Sequence, residues 1–67
     1  MTSCDPAVIE YIRNLPKGKR MHPRTLIVKI RKDIGIEIHP AALRFYVTEA
    51  GNLKKIDHTH RTLYEVV

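Results

Sequence analysis

A chain of 67 residues has room for one domain with one small hydrophobic core. Its single cysteine, Cys4, excludes an intramolecular disulfide, and 12 Lys and Arg residues against 7 Asp and Glu residues give a formal net charge of +5. No apolar run reaches the ~20 residues of a membrane span, and the first residues lack the apolar core of a signal peptide. We therefore expect a cytoplasmic protein that does not associate with a membrane.

Positive charge is concentrated in the segment from Tyr11 to Lys32, which holds eight basic residues and no acidic one. A positive field that is also localised favours binding to a polyanion such as nucleic acid. A solubilising surface is the alternative interpretation, because small domains often carry excess lysine. The basic residues of this segment are Arg13, Lys17, Lys19, Arg20, Arg24, Lys29, Arg31 and Lys32.

The first predicted helix covers about residues 6 to 15. Asp5 and Pro6 are the residue types of an N-cap and a first helical position, and Pro16 ends the run. A basic turn follows at residues 17 to 20, and residues 21 and 22 predict a brief extended segment. The apolar residues that share one face of this helix are Val8, Tyr11, Ile12 and Leu15.

Two His-Pro dipeptides begin the next two predicted helices, which cover about residues 23 to 34 and 40 to 50. Proline suits the first turn of a helix, and Gly51 supplies the left-handed residue that ends the second of the two. Because only residues 35 to 38 connect them, the helices lie on either side of a tight turn. The predicted buried stripes are Leu26, Ile27, Ile30 and Ile34, and then Leu43, Tyr46, Val47 and Ala50.

The last part of the chain predicts a β-hairpin. Strand-forming residues suggest strands at about 53 to 57 and 61 to 66, with polar residues between them at the tip. A lone hairpin is unstable in water, so its apolar side must pack on the helices. We expect that side to contain Leu53, Ile56, Leu63 and Val66. The predicted fold is α+β, with three helices followed by a two-stranded hairpin in a single domain over residues 1 to 67.

This order of elements resembles that of winged helix-turn-helix domains. Residues 40 to 46, Pro-Ala-Ala-Leu-Arg-Phe-Tyr, are similar to the second helix of the MerR-type DNA-binding domain, and residues 61 to 64 are loosely similar to its wing. A helix precedes the helix-turn-helix here, and no long dimerisation helix follows it within these residues. The resemblance is therefore to the superfamily, and in size to small regulators of archaea, viruses and mobile elements. It implies a third helix in the DNA major groove and a wing on the backbone or minor groove.

The residues expected at the bases are those on the side of the third helix that faces away from the core. Arg44 is the strongest candidate, since its guanidinium can pair with guanine O6 and N7. Ala41 and Ala42 permit close approach or contact with a thymine methyl group. Phe45 either touches sugar or methyl groups or closes a protein interface, and the sequence leaves both open. The complete set is Ala41, Ala42, Arg44, Phe45 and Thr48.

Phosphate contacts are expected from cations and from the beginning of the second helix, because any well-placed positive group can serve. The expected backbone contacts are Lys17, Lys19, Arg20, Arg24 and Thr25. The expected wing contacts are Lys54, Lys55, His58, Thr59, His60 and Arg61. A zinc site at His58 and His60 is disfavoured, because a third ligand is not close in sequence.

The leading functional hypothesis is a small transcriptional regulator that binds double-stranded DNA sequence-specifically near the nucleoid. Because one module offers few base contacts, a homodimer on a two-fold site is one expected arrangement. The alternative is a protein-interaction module of a replication or transcription assembly. An enzyme is not expected, since no nucleophile with a paired base, carboxylate pair or phosphate-binding glycine loop is present. The sequence also indicates no cofactor, metal or small-molecule effector.

Overall fold

The computed structural model describes residues 5 to 58 and 61 to 67. Its elements follow the order α1 (Pro6–Arg13), β1 (Arg20–Met21), α2 (Pro23–Ile34), α3 (Pro40–Ala50), β2 (Leu53–His58) and β3 (Arg61–Val66). The fold is α+β, with three helices and one antiparallel sheet of three strands in the order β1-β3-β2. The helices cover one face of this sheet through a common core.

Proline and glycine set the bounds of α2 and α3, which match the bounds expected from the sequence. Gly35 and Gly51 follow these helices with φ of 72° and 74°, in the left-handed region that glycine adopts without steric cost. The first helix ends at Arg13, earlier than the predicted residue 15. Leu15 precedes Pro16, and the residue before a proline is disfavoured in helical conformation.

Side chains cap the N-termini of two helices. The Asp5 carboxylate accepts a hydrogen bond from the Ala7 N–H at 3.0 Å, as expected for the start of α1. The Nδ1 atom of His39 accepts one from the Ala41 N–H at 3.1 Å, which requires a ring without a proton on that nitrogen. The second His-Pro dipeptide therefore stabilises the start of α3, whereas His22 gives α2 no such side-chain hydrogen bond.

The predicted hairpin is present as β2 and β3, but the expectation of only two strands is wrong, because β1 adds a third strand to the sheet. Arg20 pairs with Glu65 and Met21 with Tyr64 on the edge of β3 that β2 leaves free. The turn before β1 is bonded to the same strand, since the Val66 carbonyl accepts from the Gly18 N–H at 2.7 Å. These contacts satisfy backbone groups of β3 that the hairpin alone would leave unpaired.

The predicted apolar side of the hairpin is also wrong, because its four residues lie on both faces of the sheet. Leu53 pairs with Val66, and Ile56 pairs with Leu63. Successive residues of a strand point to opposite faces, so residues three apart, such as Leu53 and Ile56, cannot share one. Leu53, Val66 and Tyr64 contact the helical core, whereas Ile56 and Leu63 lie half-buried on the outer face.

One hydrophobic core joins every helix to the sheet. Each predicted helical stripe contributes to it, and Leu26, Ile30 and Leu43 are almost completely buried. The predicted stripes did not include two other core residues, Met21 of β1 and Ile38. Ile38 lies in the connection between α2 and α3 and anchors that connection in the core. The buried residues are Val8, Ile12, Leu15, Met21, Leu26, Ile30, Ile38, Leu43, Ala50 and Val66.

Reciprocal hydrogen bonds join the C-terminal ends of α1 and α3, and we call this pair of contacts the α1–α3 clamp. The Arg13 guanidinium donates to the carbonyls of Ala50 at 3.2 Å and Glu49 at 3.1 Å. In return, the Asn52 amide donates to the Ile12 carbonyl at 2.8 Å. Both donors satisfy carbonyls of a last helical turn, and the cation also complements the negative end of the α3 dipole.

Two tyrosines tie α1 to the other helices. The Tyr46 hydroxyl of α3 accepts a hydrogen bond from the Asp5 N–H at 3.1 Å. The Tyr11 hydroxyl donates to the Asp33 carboxylate of α2. Burial, the hydrogen bond to Asp33 and the charge of that carboxylate together raise the pKa of Tyr11 from 10.0 to about 12.

Replacement of Leu43 by alanine tests the core. Because Leu43 is 1% exposed, we expect Leu43→Ala to lower the free energy of unfolding by about 2 to 5 kcal/mol. Val28→Ala is the matched control, since Val28 is 59% exposed and its truncation should change stability by less than about 0.5 kcal/mol. Urea denaturation followed by circular dichroism measures both, and losses of equal size would contradict this core.

The raised pKa of Tyr11 predicts a pH-dependent stability. Below the unfolded value of 10.0 the hydroxyl is protonated in both states, and its stabilising contribution is complete. Above it the unfolded chain ionises first, so the contribution is lost as the pH rises through about 12. We expect the stability difference between the wild-type chain and Tyr11→Phe to shrink between about pH 9 and about pH 12. Denaturation at the two pH values measures it, and a constant difference would contradict the Tyr11–Asp33 contact.

Candidate nucleic-acid interface

Six residues of α3 are exposed to solvent, Pro40 and Glu49 among them, and we call the other four the α3 face. Ala41, Arg44, Phe45 and Thr48 are all exposed, with 57% of Phe45 accessible to solvent. They lie opposite Leu43, which packs in the core, so the helical spacing correctly separated the two sides. Ala42 was also expected at the bases, but the structure places it half-buried against the core, outside the α3 face.

The side chains of the α3 face are arranged by contacts within the helix. The Arg44 guanidinium carbon lies 5.7 Å from the centroid of the Phe45 ring, within the range of a cation–π contact. The Thr48 hydroxyl donates to the Arg44 carbonyl at 2.9 Å, so its proton is used within the helix while its oxygen can still accept. Among the described side chains, the one ion pair joins Arg20 to Glu65, so no carboxylate neutralises Arg44 there.

The beginning of α2 offers a second set of exposed groups. Arg24 and Thr25 line an open groove of about 630 Å³ together with His22 and Val28. The first turn of α2 contains no acidic residue, and its N-terminal N–H groups receive no side-chain cap. The positive end of the helix dipole therefore remains uncompensated beside the Arg24 cation.

His22 connects the beginning of α2 to the sheet. Its Nδ1 atom lies 3.4 Å from the Thr62 carbonyl of β3, and a carbonyl can only accept, so the ring nitrogen is the donor. His22 and His39 thus occupy equivalent positions before a helix proline but use Nδ1 in opposite ways. A capping or spacing role was expected for both histidines, and no feature of the sequence distinguishes the two.

The cations between α1 and β1 lie at one end of the sheet. Lys17 and Lys19 are exposed, and the Lys19 carbonyl accepts from the Val66 N–H at 2.8 Å. Val66 is at the end of β3 that lies farthest from the hairpin tip. This turn also follows the α1–α3 clamp, so it lies near the end of α3 rather than near its first turn.

Two arginines of the basic segment have partners within the protein. Arg20, which was expected at a phosphate, pairs with Glu65 at 3.1 Å on the outer face of the sheet. Its side chain is 60% exposed, so this contact contributes little stability and leaves donors free. Arg13 belongs to the α1–α3 clamp, a structural role that its position in a charged run did not reveal.

The wing residues are described in part. Lys54 and Lys55 are exposed on β2, where they pair with Glu65 and Tyr64 and therefore point to opposite faces. Thr59 and His60 lie outside the described residues, and so do the side chains of His58 and Arg61. The expected wing contacts of these four remain predictions from the sequence.

Other kinds of site find little support in the described part of the chain. Among the side chains that the structure describes, those of residues 5 to 56 and 62 to 67, no three His, Cys, Asp or Glu residues gather closely enough to hold a metal ion. The helices that the structure describes are too short and polar for any of them to cross a membrane. No protein-family model, curated protein or solved structure significantly matches this chain.

Proposed function

We propose that this chain is a winged helix-turn-helix domain that binds double-stranded DNA sequence-specifically and acts as a small transcriptional regulator. The observation that carries the proposal is the α3 face, where an unneutralised Arg44 is exposed on a helix held firmly by the core. The order of elements and the β1-β3-β2 sheet support the domain type, with α2 and α3 as the helix-turn-helix and β2 and β3 as the wing.

In this proposal the first half of α3 enters the major groove. Residues near the N-terminus of a recognition helix approach the bases most closely, and Ala41 and Arg44 belong to that half. A helix of 11 residues is about 16 Å long, which is enough to present its exposed side along the groove. The α3 face is therefore the surface that distinguishes one sequence from another.

Phosphate contacts would position the domain on the duplex. The beginning of α2 provides Arg24, Thr25 and uncapped N–H groups, all suited to an anionic oxygen. Lys54 and Lys55 at the base of the wing, with Lys17 and Lys19 in the turn, extend the positive surface. These contacts supply affinity that is independent of sequence and sensitive to salt.

The alternative function, a protein-interaction module, also rests on exposed residues. Phe45 is 57% exposed and Val28 is 59% exposed, and large apolar side chains at the surface suit a protein partner. Such a partner would be bound mainly by apolar contact, so the basic surface would be incidental. Salt dependence and sequence selectivity distinguish the two functions.

The salt dependence of DNA binding tests the proposal. Neutralisation of about five phosphates predicts a slope near about −4.5 for log affinity against log salt concentration. Fluorescence anisotropy with a labelled random-sequence duplex and with a selected pool, each across a salt series, measures the slope and the selectivity. A steep slope with enrichment of one motif supports a specific regulator. No binding to any duplex near physiological salt would favour the protein-interaction module.

Three arginine variants test the assigned roles. Arg44→Ala should relax the preference at one or two base pairs by about 1 to 3 kcal/mol. Arg24→Ala should weaken all duplexes similarly and reduce the salt slope by about one. Arg31→Ala is the matched control, because it removes an exposed arginine about two turns beyond Arg24 on α2. Competition binding measures all three, and a loss for Arg44→Ala that is equal on every sequence would contradict its base-reading role.

A further inference from the structure

The α3 face combines one charged donor with apolar groups. Arg44 is its only side chain with free hydrogen-bond donors, because the Thr48 hydroxyl proton is donated to the Arg44 carbonyl at 2.9 Å. Ala41 and Thr48 each present a methyl group, and Phe45 presents a ring that is 57% exposed. The face therefore contains no carboxylate or amide.

This composition selects among the groups that base pairs display in the major groove. Guanine offers two acceptors to an arginine, and a pyrimidine with a methyl group on C5 offers an apolar surface to alanine, threonine or phenylalanine. The amino groups of cytosine and adenine require an acceptor, and the α3 face offers them only the lone pairs of the Thr48 hydroxyl oxygen. Glu49 carries an exposed carboxylate one residue beyond Thr48, but helical spacing places it about 140° around the axis from Arg44, outside the α3 face.

We propose that the α3 face recognises a guanine beside a pyrimidine that carries a 5-methyl group, either thymine or 5-methylcytosine. Arg44 pairs with guanine O6 and N7, while Phe45 and the Thr48 methyl group contact the pyrimidine methyl group. This inference rests on the proposed function and specifies the ligand of the same site.

The contact between Arg44 and Phe45 supports neighbouring base pairs as the target. Successive base pairs are stacked about 3.4 Å apart, and the guanidinium carbon lies 5.7 Å from the ring centroid. The two side chains are therefore close enough to cover adjacent steps in one groove. The cation–π contact also limits the freedom of the arginine before DNA is bound, which lowers the entropic cost of the guanine contact.

Removal of single methyl groups from the DNA tests the proposal. The probe is the duplex most enriched from a random pool, with each thymine replaced in turn by deoxyuridine, which pairs identically but lacks the methyl group. We expect affinity to fall about three- to fivefold at the thymine next to the guanine that Arg44 reads. Replacement of that T·A pair by a C·G pair, with and without a 5-methyl group on the cytosine, distinguishes the two pyrimidines. The methylated form should bind more tightly by a similar factor.

Matched protein variants assign the effect to the α3 face. Thr48→Ser keeps a hydroxyl for the Arg44 carbonyl and removes only the methyl group, whereas Thr48→Val keeps the methyl group and removes the hydroxyl. We expect Thr48→Ser and Phe45→Ala to reduce the preference for thymine over deoxyuridine, and Thr48→Val to retain it. Thermal unfolding by circular dichroism establishes that each variant is folded at the assay temperature.

The outcomes separate this inference from the function on which it rests. Selective DNA binding with equal affinity for thymine and deoxyuridine at every position would overturn the methyl recognition and leave the regulator intact. A methyl preference that Phe45→Ala and Thr48→Ser both retain would overturn the assignment to the α3 face. Absence of binding to every duplex in the salt series would overturn both proposals together.

Discussion

The orientation of α3 depends on the α1–α3 clamp, and the candidate site depends on that orientation. Arg13 and Asn52 each satisfy carbonyls at the end of the partner helix, so neither helix can rotate about its axis without losing hydrogen bonds. Together, the clamp and the packing of the core keep the Leu43 and Ala50 side chains directed inward. The opposite side of α3 is consequently directed to solvent in a single arrangement.

The proposed DNA-binding surface lies on two helices that pack into one core. Within α3, the Thr48 hydroxyl donates to the Arg44 carbonyl, and the Arg44 guanidinium contacts the Phe45 ring. The helix that carries Arg24 packs into the same core through Leu26 and Ile30. A site whose backbone is fixed in helices loses less entropy on binding than one built on mobile loops.

The helices were predictable because local chemistry determines their ends. Pro23, Pro40 and Gly51 act within their own turn, and the buried stripes follow a period of 3.6 residues. The sheet was less predictable, because pairing joins residues distant in sequence. Strand β1 has only two residues, and its partner Glu65 follows 45 positions after Arg20. The division of Leu53 and Ile56 between two faces was detectable from strand alternation, which requires residues three apart to separate.

The candidate site was predictable where it follows from helical spacing. Arg44 and Phe45 were placed correctly on the exposed side of α3, because the period of the helix separates them from Leu43. The partners of the basic residues could not be inferred in the same way. Arg20 pairs with Glu65, and Arg13 takes part in the clamp. Both contacts join different elements of the fold, and a count of charged residues along the sequence does not indicate them.

Amide chemical shifts recorded during titration with duplex DNA report which surface of the protein the ligand touches. If the exposed side of α3 and the beginning of α2 form one binding surface, the largest shift changes occur at Ala41, Arg44, Phe45, Thr48 and Arg24, with small changes along α1. Changes confined to α1 or to the outer face of the sheet, with none on α3, would contradict this arrangement.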